Sequence, residues 1–454
     1  LRLGKLLHEQ QPLLDKRISQ LLRRMKIILT FLTAAVTILT FAGAGQKAAS
    51  AKRYLITEFG AKGDSITLNT RAIQACIDQC SAGGGGTVVV PKGVFTSGSI
   101  FLKKGVNLLV EKGGKLKGST ESADYPQIPT RWEGIERTWI AALVNAVELQ
   151  RVEIGGEGSI DGAGEVWTQR GLELRKQQPA GTAAGGLTAF LPRPRLLAIQ
   201  NCQHVKINGL HLHNQASWGL FVLYSTDVAI ANLHITAEHN IPSSDGIDID
   251  SSNGVHITGT FIDVNDDCIS IKSGKDEDGL RVNRPSENIL IEKCHFAYGH
   301  GGVAMGSETS GGIRNVEIRD CLVDSQNWAP IRFKTQPSRG GVVENITYRN
   351  IKLVNTRKAF EFDMAWRMID SRPAAKVLPV VRNVKIINVS GTANAVGNMS
   401  GLEGSPIQGV QFKNCTIVAQ KGFTIQHAND VNLSGLTITG VTGEAIIRKN
   451  VKYN

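Results

Sequence analysis

A short phrase recurs along the chain: an apolar residue, one variable residue and a second apolar residue, usually introduced by Asn or Gly and followed by another apolar strand. It reads Val205-Lys206-Ile207, Val228-Ala229-Ile230, Val255-His256-Ile257, Ile289-Leu290-Ile291, Val316-Glu317-Ile318, Ile346-Thr347-Tyr348, Val384-Lys385-Ile386, Val410-Gln411-Phe412 and Val431-Asn432-Leu433. Successive starts lie 23, 27, 34, 27, 30, 38, 26 and 21 residues apart. Period-two alternation rich in β-branched residues predicts strands, and the uneven spacing predicts a solenoid with loops inserted between its coils. Helical repeats would need longer apolar stripes at a period of 3.6, which are missing. Strands stacked coil on coil make an all-β fold, a parallel β-helix.

The open end of such a solenoid exposes strand edges and apolar core, so a cap is expected. Asn69 to Cys80 predicts one, with Asn69 as N-cap and Ala72, Ile73, Cys76, Ile77 and Cys80 on one helical face. Gly83 to Gly86 ends the helix before a strand at Thr87 to Val90. That glycine run follows a helix and lacks a Lys-Ser/Thr ending, which argues against phosphate binding.

One strand type aligns coil by coil as Ile247/Ile249, Ile269/Ile271, Val303/Met305, Ile331/Phe333 and Phe360/Phe362, all facing inward. The residues between and after them, Asp248/Asp250, Ser270/Lys272, Ala304/Gly306, Arg332/Lys334 and Glu361/Asp363, are then expected to face solvent. Asp245 and Asp267 each stand two residues before the first inward isoleucine of their coil, so their backbones should be one strand spacing apart. With Asp266 beside them, not all three can ionise comfortably, and one can stay protonated as a general acid. One protonated acid plus a carboxylate that activates water is what glycoside hydrolysis needs. Arg332 and Lys334, with Lys272 nearby, suit a sugar carboxylate and predict an acidic substrate; ion pairing with Glu361 and Asp363 is the competing reading.

Composition adds boundaries rather than chemistry. The first methionine, Met25, opens Met25-Lys26, an apolar run from Ile27 to Phe41, and small residues at Ala42-Gly43-Ala44 and Ala49-Ser50-Ala51. That is the layout of a signal peptide, and the apolar run is short of the roughly 20 residues that span a bilayer. Residues 1–24 read as upstream sequence wrongly joined, 25–51 as the signal, and 52–454 as one catalytic β-helix. Without residues 1–52 the formal charge falls from +11 to +4, so the basic balance is no nucleic-acid footprint. A secreted or periplasmic, monomeric protein free of the membrane is expected. Its seven cysteines, odd in number and without metal-ligand spacing, predict buried thiols; neither metal nor cofactor is expected.

Four motifs, Ser243-Ser244-Asp245-Gly246, Asn265-Asp266-Asp267-Cys268, Gly299-His300-Gly301 and Arg332-Phe333-Lys334, together with Phe59-Gly60-Ala61-Lys62-Gly63-Asp64, resemble the polygalacturonase family of glycoside hydrolases (family 28 type). The resemblance implies a right-handed parallel β-helix. It implies that Asp266 is the general acid, that Asp245 and Asp267 activate water in an inverting reaction, that His300 tunes the acid, and that Arg332 and Lys334 bind the galacturonate carboxylate. Ser243 stands where the family usually has Asn. The continuation Gly302-Val303-Ala304-Met305-Gly306-Ser307-Glu308 looks more like the bacterial exo-acting members, and insertions at Gly171 to Arg195 and Ser273 to Glu287 could wall off one end of the groove. The rivals are a rhamnogalacturonan- or xylogalacturonan-directed hydrolase of the same family, a Ca²⁺-dependent pectate lyase using Asp245, Asp248, Asp250 and Asp263, and a non-catalytic polysaccharide-binding β-helix.

Overall fold

A computed structural model describes residues 52–178, 189–324, 327–367 and 372–452. The boundaries expected at 1–24 and 25–51 lie outside them. All nine recurring phrases stack in one parallel ladder, Val205 beside Val228, then Val255, Ile289, Val316, Ile346, Val384, Val410 and Val431. Their inward partners fill a continuous core that ends at helix α1 (Thr70–Ala82), which buries Ile73, Cys76, Ile77 and Cys80. The fold is a parallel β-helix with an N-terminal helical cap. Asn69 stands at the N-cap position without capping: its buried amide instead bonds the backbone of Lys62, Thr67 and Thr96, tying the cap to the first coils.

An antiparallel hairpin of β1 (Gln127–Trp132) and β2 (Ile135–Ile140) interrupts the coils. Helix α2 (Gly164–Lys176) follows, beginning before the first insertion expected from the sequence and entering it at Gly171. Next come the strands of one sheet face: β3 (Leu197–Gln200), β4 (Leu220–Leu223), β5 (Ile247–Asp250) and β6 (Ile269–Lys272). Helix α3 (Asp276–Val282) then precedes β7 (Gly301–Met305), β8 (Ala329–Lys334) and the end of β9 (Val342–Asp363). Register pairs Ile247 with Ile269, Val303, Ile331 and Phe360, and Ile249 with Ile271, Met305, Phe333 and Phe362, as the alignment of inward residues predicts. All seven cysteines are buried free thiols.

The solenoid turns corners at residues with left-handed backbone, among them Asn288, Asn315, Asn345 and Asn383, all with φ between 56° and 58°. Asparagine tolerates that conformation better than other side chains except glycine. Each amide also donates to the corresponding amide one coil earlier, Asn315 to Asn288 at 3.3 Å and Asn345 to Asn315 at 3.2 Å. The same stacking operates inside, where the rings of Phe333 and Phe362 lie 4.4 Å apart and nearly parallel. Phe333→Ala should cost about 3–5 kcal/mol, measured as a lowered denaturant midpoint. A loss under about 1 kcal/mol would show that neighbouring coils close the cavity.

Candidate active site

Extending the register two residues upstream places Arg195, Trp218, Asp245, Asp267 and Gly301 in one column, supported by backbone bonds from Gly219 to Asp245, Gly246 to Asp267 and Cys268 to Gly301. Asp245 and Asp267 are therefore neighbours across one strand spacing, as expected. Asp266 joins them, and one oxygen from each of the three carboxyls lies within 4.8 Å of the others. Beside Asp266 stands His300, its Nδ1 3.3 Å from the carboxylate and its backbone N–H donating to the Asp266 carbonyl. These two are the accessible members, with side chains 28 % and 49 % exposed, against 3 % for Asp245 and 0 % for Asp267.

The outward side chains of this face do not meet solvent as the alternation suggested. Asp248, Asp250, Ser270, Lys272, Arg332, Lys334 and Glu361 are all buried, because the hairpin, α3 and loop tryptophans cover the face. Burial forces the charges to find partners inside. Arg332 reaches past Ala304 and Gly301 to Asp267 at 3.2 Å and also bonds Glu361 at 2.7 Å, while Lys334 takes the second oxygen of Asp267. Both cations face Trp366. The competing reading of this pair thus holds for Arg332 with Glu361, whereas Lys334 pairs with Asp267 rather than Asp363. Gly301 makes this possible: a Cβ there would lie 2.8 Å from Asp267 Oδ1 and 3.3 Å from Arg332 Cδ.

Lys272 is paired with Glu308 at 3.1 Å and Asp248 at 3.6 Å beneath Trp218. Burial works against its charge, but these carboxylates outweigh it and raise its pKa well above the ordinary value. Ser243 is half-buried with φ of 58°, a left-handed backbone position that Asn would also adopt readily.

Burial, then the charges of Asp248 and Asp266, push the Asp245 carboxyl well above the carboxylate range. For Asp266 burial acts in the same direction, but contact with His300 overrides it and holds the group well below that range. His300 is raised in turn by the same contact. One carboxyl is raised, as crowding predicts, but it is Asp245; Asp266, the acid that the resemblance implies, is held low by His300 instead. Burial thus favours the protonated form of Asp245, while the contact between Asp266 and His300 favours a carboxylate beside an imidazolium.

Three convergent carboxylates are also a cation's donor set, yet Arg332 and Lys334 already supply positive charge to Asp267. The four aspartates of the lyase alternative do not converge, since Asp250 pairs with Arg131 at 2.7 Å and Asp263 with His239 at 2.6 Å. Sequence reasoning missed Glu308, which continues the third motif, and the aromatic cover. Trp132 stacks between Trp139 at 4.7 Å and Trp218 at 5.1 Å, and Arg195 lies against Trp132, Trp218 and Phe221.

The profile of glycosyl hydrolases family 28 matches residues 80–435. A probable polygalacturonase of Vitis vinifera is 30 % identical over 375 residues, covering 80 % of this chain and 73 % of its own. An exo-poly-alpha-D-galacturonosidase of Dickeya chrysanthemi is 31 % identical over 67 % of this chain, which spans 55 % of that protein's length. The crystal structure of a hyperthermoactive exopolygalacturonase from Thermotoga maritima superposes with a TM-score of 0.70 at 29 % identity, covering 88 % of this chain and 92 % of that one.

Gly301→Ala should cut kcat/KM by at least about tenfold, since 1.4 kcal/mol of displaced Asp267 is enough. Steady-state kinetics on a folded variant check it, and an unchanged rate would show that Asp267 can move freely. A second expectation concerns stability. Burial, opposed by Lys272, leaves the Asp248 carboxyl pushed up to about 8. Its stabilising effect is complete below the unfolded value of about 3.9 and is lost as pH rises through the folded value. Wild type should therefore lose stability relative to Asp248→Asn between pH 5 and pH 9 in urea titrations.

Proposed function

The chain belongs to glycosyl hydrolases family 28 and is a glycoside hydrolase; from that premise we propose that it hydrolyses α-1,4 galacturonosyl linkages of pectic chains, with inversion and from a chain end. The observation that carries the reading is the carboxyl cluster within 4.8 Å, flanked by Arg332 and Lys334. The relatives' names agree on galacturonan. Lys334 spends one of its three N–H donors on Asp267, so donors remain for a sugar carboxylate.

Asp266 is the proposed acid because it alone of the three is substantially accessible to a glycosidic oxygen. The proton it delivers is shared with His300. Asp245 and Asp267 are proposed to hold the attacking water. The separation of Asp266 from either of them is tighter than the roughly 6.5–9.5 Å between acid and base in ordinary inverting enzymes. What favours water over a covalent intermediate is that both oxygens of Asp267 are tied to cations, which hold this carboxylate to orient the water and take its proton as the water attacks.

Action from a chain end is supported by the hairpin. At the coil next to Asp245, on the N-terminal side, the column position is Trp218, packed beneath Trp132 with both rings almost inaccessible. The hairpin tip is fastened beyond the far end of β6: Gly134 accepts from Lys275 at 2.8 Å, and Glu136 pairs with Arg281 of α3 at 2.6 Å. The Trp132–Trp218 stack supports a groove closed on the N-terminal side. We also place the protein outside the cytoplasm, secreted or periplasmic, on the signal-like segment 25–51 and the polymeric substrate. Among the described residues no helix is long and apolar enough to cross a membrane.

Asp266→Asn should lower kcat on polygalacturonate by several orders of magnitude with little change in KM; full turnover would remove Asp266 as the acid, and no turnover by the wild type would leave only a binding protein. Arg332→Ala should raise KM and also lower kcat, because Asp267 loses one of its two cations. Proton NMR of fresh product should show the β-anomer first, and an initial α-anomer would overturn inversion. The rate should fall as pH rises through the His300 value, which lies above 6.5; an alkaline midpoint below 6.5 would remove the shared-proton pair. Released monomer from the first minutes, without unsaturated ends and without sensitivity to chelator, is the expected product pattern.

A further inference from the structure

The groove is not symmetric about the carboxylates. On the side away from the hairpin a second column runs through Asp266, His300, Trp328 and Arg357, fixed by backbone bonds from His300 to Asp266, Ala329 to His300 and Lys358 to Trp328. Coils lie about 4.8 Å apart, so Trp328 is one coil and Arg357 two coils beyond His300. Trp328 is 38 % exposed, a large ring left open on the active-site face. The guanidinium of Arg357 sits 5.2 Å and the ammonium of Lys358 5.8 Å from the centre of that ring. Arg357 is exposed and, among the described residues, no carboxylate pairs with it.

We propose that Trp328, Arg357 and Lys358 form a subsite for the part of an acidic polysaccharide chain that continues beyond the scissile bond. The indole face offers a sugar ring a stacking surface, and the cations beside it offer that sugar's carboxylate, or the next one's, an ionic partner. Neither feature serves the core. The platform is wired to the chemistry through Glu361, which accepts from Trp328 Nε1 at 3.4 Å, from Lys358 and, at 2.7 Å, from Arg332, the cation that also holds Asp267. A chain seated there would draw on the same carboxylate that positions the catalytic centre. The inference rests on the galacturonan reading and names which residues hold the polymer.

The test is a series of galacturonate oligomers from dimer to hexamer and the polymer, with Arg357→Glu and Trp328→Ala. The penalty in KM should grow with chain length, reaching about tenfold on the hexamer and polymer for either variant, while kcat changes by less than about twofold. A purely structural role would lower kcat on every length alike. Equal loss on dimer and hexamer, or no loss on any length, overturns the platform. Arg357 is a surface residue, so Arg357→Glu keeps the test available if Trp328→Ala does not fold. If the wild type leaves polygalacturonate uncut, the substrate reading fails instead. Retardation in gels containing polygalacturonate then decides the platform: wild type slowed and Arg357→Glu not slowed supports it, and equal mobility rejects it.

Discussion

Coil-to-coil register is the constraint from which the site follows. Parallel strands stacked in register place corresponding residues about 4.8 Å apart whether or not their side chains repel. Asp245 and Asp267 are brought together by that rule, against their own electrostatics. The core ladder of Ile247, Ile269, Val303, Ile331 and Phe360 outweighs the repulsion, since slipping register by one residue would turn every inward side chain outward. Burial and crowding together favour the protonated form of Asp245, while His300 holds Asp266 as a carboxylate.

Around that cluster lies a network of buried ions rather than an open charged face. Lys272 with Glu308 and Asp248, Arg131 with Asp250, and Arg332 with Asp267 and Glu361 are each enclosed. Such networks contribute little net stability and depend on complete pairing. Their value here is geometric: each cation fixes a carboxylate that a solvated side chain would leave mobile. The aromatic cover of Trp132, Trp218 and Trp366 keeps water from loosening them.

The solenoid is legible in the sequence because its signal is repeated in every coil from Val205 to Val431, and the inward isoleucines fix which aspartates are neighbours. What was not legible comes from elements that occur once. Alternation says which side of a strand a residue faces, and nothing about what covers that side. Arg332 and Lys334 were therefore read as open to solvent when they are roofed over. Their bonds to Asp267 cross a coil at Gly301 and Ala304, and only the register makes that reach visible. The hairpin carrying Trp132 and Trp139 obeys no coil period, and Asn69 was matched to a cap by residue type although its bonds lead elsewhere.

The unfilled position at Gly301 also bears on how such a molecule can change over generations. A solenoid lengthens or shortens by whole coils, and toward its C-terminal end each added turn needs only to match its neighbours. Between Asp245 and Arg332 that freedom is absent. The carboxylate of one coil occupies the space left by the next, and the cation that steadies it arrives from the coil after that. Four successive coils are thus locked as an indivisible block, while growth and loss are confined to the flanks and to the loops.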